Sequence, residues 1–306
     1  KDMHELSLNG VFSHTKDSRP STYQIDDLLS YTATGNEQPE FVRVQMDYLY
    51  TFANRGQLES GIQFFSRWNK TRYHLYDKGK DPDNWLSRLN PNDGLNHKEY
   101  IYTAHLFYSR QPEESWHYKI GLLADYDITR TQLMEATDKH DSDRFYFYPH
   151  LTLQYTPSEQ QELAFHFTRK ATRPDYTRLN PFTSPIDHQT FEQGNPLLRP
   201  EVSNRAEINY LLSGEKIQVN GNLYFTSIEK FITPVALLTE DNTLTLSYAN
   251  GNMENKVGLD INLSGTPASW MTINPSISII HAHTNGKFQS INLHVDDFSW
   301  SGKLEL

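Results

Sequence analysis

Apolar and polar residues alternate along most of this chain. In one stretch the apolar face carries Val44, Met46, Tyr48, Tyr50 and Phe52. The intervening positions are mostly polar, and about a dozen segments show the same alternation, many of them about 9–12 residues long. Because successive side chains of a strand point to opposite faces, this period of two predicts strands, and their length suits tilted strands that cross a membrane. The only helical pattern is in Gln24–Gly35, where one or two turns are predicted within a loop.

The connections between these segments alternate between short and long. The short ones are at residues 52–57, 109–115, 156–161, 212–216 and 264–269. The long ones are at residues 14–40, 69–98, 129–144, 169–204, 227–255 and 283–296. A meander whose two ends face different compartments has tight turns on one side and elaborate loops on the other. The predicted fold is therefore all-β, an antiparallel up-and-down transmembrane β-barrel with about 12 strands present.

Charged residues occupy the other face of the predicted strands. They are Arg43, Asp47, Glu59, Arg67, Lys119, Asp125, Glu207 and Asp260. In a small packed barrel these groups would carry a severe desolvation cost, whereas in a wide barrel they face water or a polar plug. Aromatic residues near segment ends, such as Trp116 and Trp270, fit the aromatic girdles of a membrane barrel. We therefore expect a polar lumen and a lipid-facing outer surface.

Composition narrows the possible functions. The 306 residues carry a net charge of −10, with 37% hydrophobic and 13% aromatic residues and a mean hydropathy of −0.69. The acidic balance argues against a nucleic-acid surface, and the absence of cysteine excludes disulfides and thiolate chemistry.

Candidate catalytic and metal-binding residues are few. His281, His283, His294, Asp296 and Asp297 lie close in sequence, but chance pairs are expected among 13 histidines, so no metal site is predicted. The pairs Glu113-Glu114 and Asp26-Asp27 are interpreted as solvated faces. No nucleophile elbow, phosphate-binding loop or zinc-protease motif occurs. We predict that the chain is not an enzyme and uses no cofactor.

The stretch from Thr172 to Tyr210 resembles the signature region of TonB-dependent outer-membrane receptors of the Bacteroidetes type, within the outer-membrane β-barrel family. The residues that carry the resemblance are Arg173, Pro174, Asn180, Pro181, Gly194, Asn195, Pro196, Leu198, Pro200 and Glu201. The match is specific over about 40 residues, and elsewhere it is one of strand pattern. The resemblance implies a plugged barrel of about 22 strands in the Gram-negative outer membrane.

The same resemblance indicates how this chain relates to a complete receptor. Residues 1–306 are expected to form a single barrel domain, the C-terminal part of a receptor whose plug and upstream strands lie outside the sequence. Implied partners are outer-membrane lipid, the TonB complex through the plug, and a surface lipoprotein. No nucleic-acid partner is expected.

The long connection within this stretch is predicted to be an ordered extracellular loop. Its Arg-Pro and Asn-Pro steps favour extended backbone and oppose a helix, and Gly194 is expected to allow a tight reversal. Phe182, Ile186, Phe191 and Leu197 are expected to pin the loop to its surroundings. Loop position alone suggests a ligand site of Trp85, Tyr176, Arg178, Asp187 and Phe191.

The predicted function is capture of a scarce solute, such as a siderophore, cobalamin, glycan or peptide, and its transport into the periplasm. Two alternatives stay open at this point: a passive cell-surface binding or adhesion barrel, and a soluble glycan-binding β-sandwich.

Overall fold

A computed structural model describes residues 3–24, 30–78, 85–87, 94–133, 139–181, 183–187, 189–238, 242–288 and 291–305. In chain order the elements are β1 (Met3–His14), β2 (Asp17–Gln24), β3 (Ser30–Thr51), β4 (Gly56–Lys78), β5 (Trp85–Ser87), β6 (Gly94–Glu113), β7 (Trp116–Leu133), β8 (Lys139–Ser158), β9 (Gln161–Thr172), α1 (Tyr176–Leu179), β10 (Thr183–Pro185), β11 (Thr190–Gln193), β12 (Glu201–Ser213), β13 (Ile217–Glu229), β14 (Ile232–Leu238), β15 (Leu244–Asn250), β16 (Met253–Ala268), β17 (Met271–Phe288) and β18 (Ile291–Glu305).

One large antiparallel sheet dominates the described residues. It contains 14 strands in the order β1-β3-β4-β6-β7-β8-β9-β12-β13-β16-β17-β18, with β2 and β5 paired beside this path. Each strand of the path pairs with the next one along it, which is the meander that the sequence predicts. Within the described part of the chain β1 and β18 are the ends of the path, so the sheet is a section of barrel wall that does not close on itself. The soluble sandwich is wrong, because that fold packs two sheets face to face.

The apolar residues of the large sheet lie on its outward face. Val44 is 44% exposed and Ile120 is 55% exposed, and Tyr48 belongs to the same exposed set. Leu259 is only partly covered. Such a continuous apolar surface is unfavourable in water but suits contact with lipid tails. The prediction of a lipid-facing outer surface is confirmed, since these side chains do not share a packed interior.

The inward face is polar, and its charged residues contact one another. Nζ of Lys119 lies 2.9 Å from a carboxylate oxygen of Glu59, across the strand that separates them. The amide of Gln45 donates to Asp47 at 2.8 Å, and the hydroxyl of Ser278 donates to Asp260 at 2.5 Å. Paired charges beside water cost far less than charges buried in a packed core. The predicted polar lumen is the face that these pairs occupy.

The five short connections are confirmed, but several predicted long loops are strand extensions. β3 has 22 residues, about twice the 9–11 that a tilted strand needs to cross a membrane. Residues 283–288 and 291–296, predicted as part of a loop, are paired with each other at the end of the β17–β18 hairpin. Alternation fades in these extensions because both faces are wet beyond the membrane, while the backbone hydrogen bonds continue.

The only helix among the described residues is α1, a single turn between Pro174 and Pro181. The prediction that the proline steps prevent a helix is therefore wrong, although Asn180 before Pro181 is extended, with φ −71° and ψ 111°. The helical turns predicted in Gln24–Gly35 are also wrong where the residues are described, because Gln24 ends β2 and Ser30 begins β3. Residues 25–29 lie outside the described part. No described helix has the length and apolar character to cross a membrane.

A small second sheet accompanies the long connections. Its order is β10-β11-β15-β14, and β11 pairs with β15 in parallel. It therefore joins two predicted long loops, residues 169–204 and 227–255. We call residues 173–201 the mouth segment: residues 173–200 connect β9 to β12 on the side of the long loops, and Glu201 begins β12.

Candidate functional site

A cavity of about 1210 Å³ lies between the inward face of the large sheet and the mouth segment. Its wall includes Arg43, Phe65, Arg67, His97, Glu99, Asp125, Asp127 and Arg173. The mouth segment contributes Pro174, Tyr176, Leu179 and residues 196–200. This volume is large enough for a small solute, since ligand pockets commonly measure about 300–1,000 Å³.

Arg173 joins the mouth segment to the barrel wall. Its Nη2 donates to Oδ1 of Asp127 at 2.6 Å and to Oδ2 of Asp125 at 2.9 Å, and its Nε donates to Oδ2 of Asp127 at 3.0 Å. Glu99 lies 3.7 Å from Nε of the same guanidinium. The period of two places Asp125 and Asp127 on the same face of β7, where the planar guanidinium reaches both.

The carboxylates around Arg173 are buried, so they depend on its guanidinium to balance their charge. Asp125 is 6% exposed and Asp127 is 5% exposed. Asp125 also accepts hydrogen bonds from the hydroxyls of Thr103 at 2.7 Å and Tyr148 at 3.1 Å. Burial alone would lower the pKa of Arg173, but the hydrogen bond and charge of Asp127 outweigh burial and raise that pKa above its usual range. Arg173 therefore stays charged and anchors the mouth segment.

Two further guanidinium groups flank an aromatic ring on the cavity wall. Arg43 lies with its Cζ 5.5 Å from the ring centre of Phe65, and Arg67 with its Cζ 5.3 Å from the same centre. Strand pairing causes this arrangement, because Arg43 is directly opposite Phe65 and Arg67 follows two positions later on the same face. The result is a positively charged, partly apolar surface that suits an anionic group.

The motif residues of the mouth segment hold its two arms together. The backbone nitrogen of Gly194 donates to the carbonyl of Asn180 at 2.8 Å, and that of Asn195 donates to the carbonyl of Arg178 at 2.6 Å. A Cβ added at Gly194 would lie 2.4 Å from the Asn180 carbonyl oxygen. Gly194 has no positive φ, so the predicted reason for this glycine is wrong. Glycine is required by the close approach of two backbones.

The same segment is tied to the neighbouring connection. The side-chain amide of Asn195 donates to the carbonyl of Tyr248 at 2.9 Å. Asn250 accepts from the backbone nitrogen of Arg199 at 2.8 Å and donates to its carbonyl at 2.9 Å. A carboxylate oxygen of Glu201 accepts from the backbone nitrogen of Ile232 at 2.5 Å. These bonds fix the small sheet to the barrel wall.

The apolar residues that pin the segment differ from the prediction. Leu179 and Leu198 are buried, whereas Ile186 and Leu197 are exposed, so the prediction is wrong for those two. Phe191 is partly covered within β11, and Phe182 lies outside the described residues. The error arises because the buried anchors are Leu179 in α1 and Leu198 beside the turn, which leaves Ile186 at the outer turn and Leu197 exposed.

Comparison with known proteins identifies the family. A model described as the outer membrane protein beta-barrel family matches residues 1–306. The chain belongs to this family. Its location is the outer membrane, where the exposed apolar face contacts lipid. No curated protein matches the sequence.

Solved structures with the same fold are barrels of uptake proteins. The copper transporter OprC has a TM-score of 0.61 and 12% identity, covering 96% of this chain and 44% of its own. The unliganded ferric citrate transporter FecA has a TM-score of 0.63 and 10% identity, and the match covers 98% of this chain and 44% of FecA. The ferric yersiniabactin uptake receptor FyuA from Yersinia pestis has a TM-score of 0.54 and 10% identity, and the match covers 92% of this chain and 40% of FyuA. At this identity the likeness concerns the fold. This outer-membrane barrel chain spans less than half the length of those proteins.

Among the five residues suggested as a ligand site, Tyr176 lies at the cavity. It begins α1, its hydroxyl contacts that of Thr71, and its ring centre is 6.2 Å from that of His97. Trp85 begins β5 opposite Lys78, and its side chain lies outside the described part. The structure thus brings Tyr176 to the site.

The other three suggested residues have contacts away from the cavity. Arg178 lies with its Cζ 5.4 Å from the ring centre of Tyr248. Oδ1 of Asp187 accepts from the backbone nitrogens of Gln189 and Thr190, at 2.8 and 2.7 Å, in an exposed turn. Phe191 pairs across strands with Pro185 and Thr245. Their roles in ligand binding stay predictions.

Sequence reasoning missed most of the cavity wall. Phe65, His97 and Glu99 were not singled out, and Arg43, Arg67 and Asp125 were interpreted only as lumen-facing charges. One pattern in the sequence could have indicated the site. Asp125 and Asp127 lie on one face of a predicted strand, and the family motif includes Arg173, a cation that could pair with them. Their meeting depends on the path of the mouth segment, which no local pattern encodes.

Proposed function

We propose that this chain is the barrel portion of a TonB-dependent receptor that binds a scarce solute at its extracellular mouth and transports it into the periplasm. In this proposal residues 1–306 form one barrel domain, and the plug and TonB-interacting segment belong to the rest of the receptor. The family assignment and the fold shared with transporters and uptake receptors support the proposal. The mechanism is capture and passage, with no covalent step.

The observation that carries the proposal is the charged cavity beneath the mouth segment. A passive wall has no need of Arg43 and Arg67 on either side of Phe65, whereas a receptor for an anionic solute gains two bidentate donors and an apolar surface. Asp125 and Asp127 are already paired with Arg173, so they oppose an incoming anion less than free carboxylates would. The favoured solutes are therefore siderophores, cobalamin, glycans or peptides that carry carboxylate or phosphate groups.

The route from capture to passage follows from the polar inward face. Pairs such as Lys119 with Glu59 continue this face toward the short turns, which lie on the periplasmic side in barrels of this kind. Energy from the inner membrane, delivered through the TonB complex and the plug, would open the path along it. A surface lipoprotein is a further proposed partner.

The test uses the full receptor, expressed in a strain that lacks the native copy. Binding and uptake of labelled ferric chelates, cobalamin, acidic peptides and acidic oligosaccharides are measured with and without a protonophore. We expect one class to bind, and its accumulation to stop when the proton gradient collapses. The double variant Arg43→Ala/Arg67→Ala should lose at least about tenfold in affinity for that class.

The matched control is Arg205→Ala, because Arg205 pairs with Glu207 and lies with its Cζ 4.1 Å from the ring centre of Tyr224, and none of these residues lines the cavity. Its affinity should stay within about twofold of the parent protein. Binding without energy-dependent accumulation would instead support the passive surface barrel. Equal losses in Arg205→Ala and in the double variant would overturn the cavity as the binding site.

A further inference from the structure

Four residues that could bind a metal meet on the outward face of the β17–β18 hairpin. His283 is directly opposite Asp296 in the strand register, and His281 and His294 lie two positions away from these residues on their own strands. All four share one face, since residues directly opposite and residues two apart point the same way. This face continues from Ile279 and Trp300, so the group lies above the apolar belt, toward the long-loop end.

The carboxylate of Asp296 is at the centre of the group. Nδ1 of His283 lies 2.6 Å from Oδ1 of Asp296, Nε2 of His294 lies 3.6 Å from Oδ2, and Nε2 of His281 lies 3.9 Å from Oδ1. One potential ligand atom from each of His283, His294 and Asp296 falls within 4.8 Å of the others. The ligand atoms of a tetrahedral zinc site are about 3.3 Å apart, given bonds of about 2.0–2.1 Å. Small side-chain rotations would bring this set to that spacing.

Asn285 orients two of the imidazoles. Its Oδ1 lies 2.8 Å from Nδ1 of His294, and because a carbonyl oxygen only accepts, the proton of His294 is on Nδ1. The lone pair of Nε2 in His294 is then free and faces Asp296. The amide nitrogen of Asn285 donates to Nε2 of His283 at 2.7 Å, so the proton of His283 is on Nδ1, which donates to Asp296 at 2.6 Å. Metal-binding histidines commonly have a second partner like that of His294, which fixes the tautomer and the ring. Metal binding at Nδ1 of His283 would move its proton to Nε2 and release the amide of Asn285.

We propose that His283, His294 and Asp296, with His281 as a fourth ligand, form a binding site for a divalent transition-metal ion of the Zn²⁺ class. Imidazole nitrogens with one carboxylate select such ions over Ca²⁺ and Mg²⁺, which prefer all-oxygen sites. The ion would take the place of the hydrogen bond between His283 and Asp296. No residue of this group lines the cavity, so the site is independent of the proposed transport function.

The position gives the ion a structural role. The site links β17 to β18 near the end of their hairpin and faces away from the lumen, so an ion there is not in the path of a solute. A metal that binds only the folded hairpin stabilises it in proportion to occupancy. Zn²⁺ should therefore slow the opening of this hairpin without changing uptake.

The experiment uses the full receptor in detergent micelles, stripped with a chelator and titrated with ZnCl₂ against a chromophoric zinc chelator. The parent protein should show a zinc site whose affinity falls at least about tenfold in His294→Gln and in Asp296→Asn. Saturating Zn²⁺ should slow amide exchange in residues 283–296 of the parent protein. CaCl₂ at the same concentration should have no such effect.

The matched control is His14→Gln, because His14 and Glu40 also form an exposed cross-strand histidine–carboxylate pair, at 2.7 Å, but belong to no such cluster among the described residues. Its zinc affinity should match that of the parent protein. Should one ligand variant fail to fold, the other serves, since both side chains are more than half exposed. An equal loss in His14→Gln, or a parent protein that binds zinc no better than His294→Gln, overturns the proposal.

Discussion

Oδ1 of Asp127 lies 2.6 Å from Nη2 of Arg173, so a strand of the barrel wall and the segment above the lumen are joined across 46 positions of sequence. The contact is one of several between this guanidinium and buried carboxylates. Two features of the chain bring these groups together. Asp125 and Asp127 share the inward face of β7, and Arg173 is the first residue after β9. The predictions below begin from this anchor.

Removing the guanidinium should destabilise the mouth segment. Arg173→Ala leaves Asp125 and Asp127 buried without their cation, which typically costs about 3–5 kcal/mol. Arg173→Lys should recover only part of this, because a lysine cannot bond both carboxylates with a planar fork. Unfolding in denaturant and amide exchange across residues 173–201 measure the effect. Arg178→Ala is the control, since Arg178 lies 4.0 Å from the exposed Asp175 and 5.4 Å from the ring centre of Tyr248, and its loss should change stability by less than about 1 kcal/mol.

A methyl group at Gly194 should separate the two arms of the mouth segment. In Gly194→Ala the new Cβ would lie 2.4 Å from the carbonyl oxygen of Asn180 and 2.7 Å from that of Arg178, and neither backbone atom can rotate away. We expect a loss of about 1–3 kcal/mol and new proteolytic cleavage between residues 176 and 200. Gly221→Ala meets open space and is the control. Equal protease resistance of both variants would contradict the close-approach explanation.

A charge on the outward face should impair membrane folding. Ile120→Lys places an ammonium where an exposed apolar side chain faces lipid, which costs about 2–4 kcal/mol near the middle of the bilayer. Gln45→Lys adds the same group to the inward face, where it contacts water. The fraction of each variant that inserts into lipid vesicles is the measurement. Insertion of Ile120→Lys at the level of Gln45→Lys would show that lipid does not contact this face.

Two residues of the suggested ligand site should differ in their effect on affinity. Tyr176→Ala removes a ring from the cavity wall and should weaken solute binding by about tenfold. Asp187→Ala should leave affinity within about twofold, because Asp187 accepts backbone hydrogen bonds in an exposed turn and does not line the cavity. Equilibrium binding to the full receptor measures both. A larger loss of affinity in Asp187→Ala than in Tyr176→Ala would indicate that the solute binds at the turn of Asp187 and not in the cavity.

The barrel wall could be predicted from the sequence, but the residues that form the cavity could not. Alternation places Val44 outward and Arg43 inward without any knowledge of their neighbours, because the period of a strand is local. The cavity depends on long-range contacts, such as Arg173 with Asp127, that follow from the path of a 28-residue connection between β9 and β12 (residues 173–200). The histidines show the same limit. His283 and His294 were treated as chance neighbours, and the hairpin register is what brings them to one carboxylate.

The bonds of Gly194, Asn195 and Glu201 fix the base of the mouth segment, and its outer turn at Ile186 and Asp187 is exposed. Ile186 is exposed beyond this base, and Leu197 is exposed at the cavity, so substitutions there can alter which solutes approach without loosening the attachment to the wall. A receptor built in this way can acquire a new cargo through changes at a few exposed positions, while its foundation in the membrane stays intact.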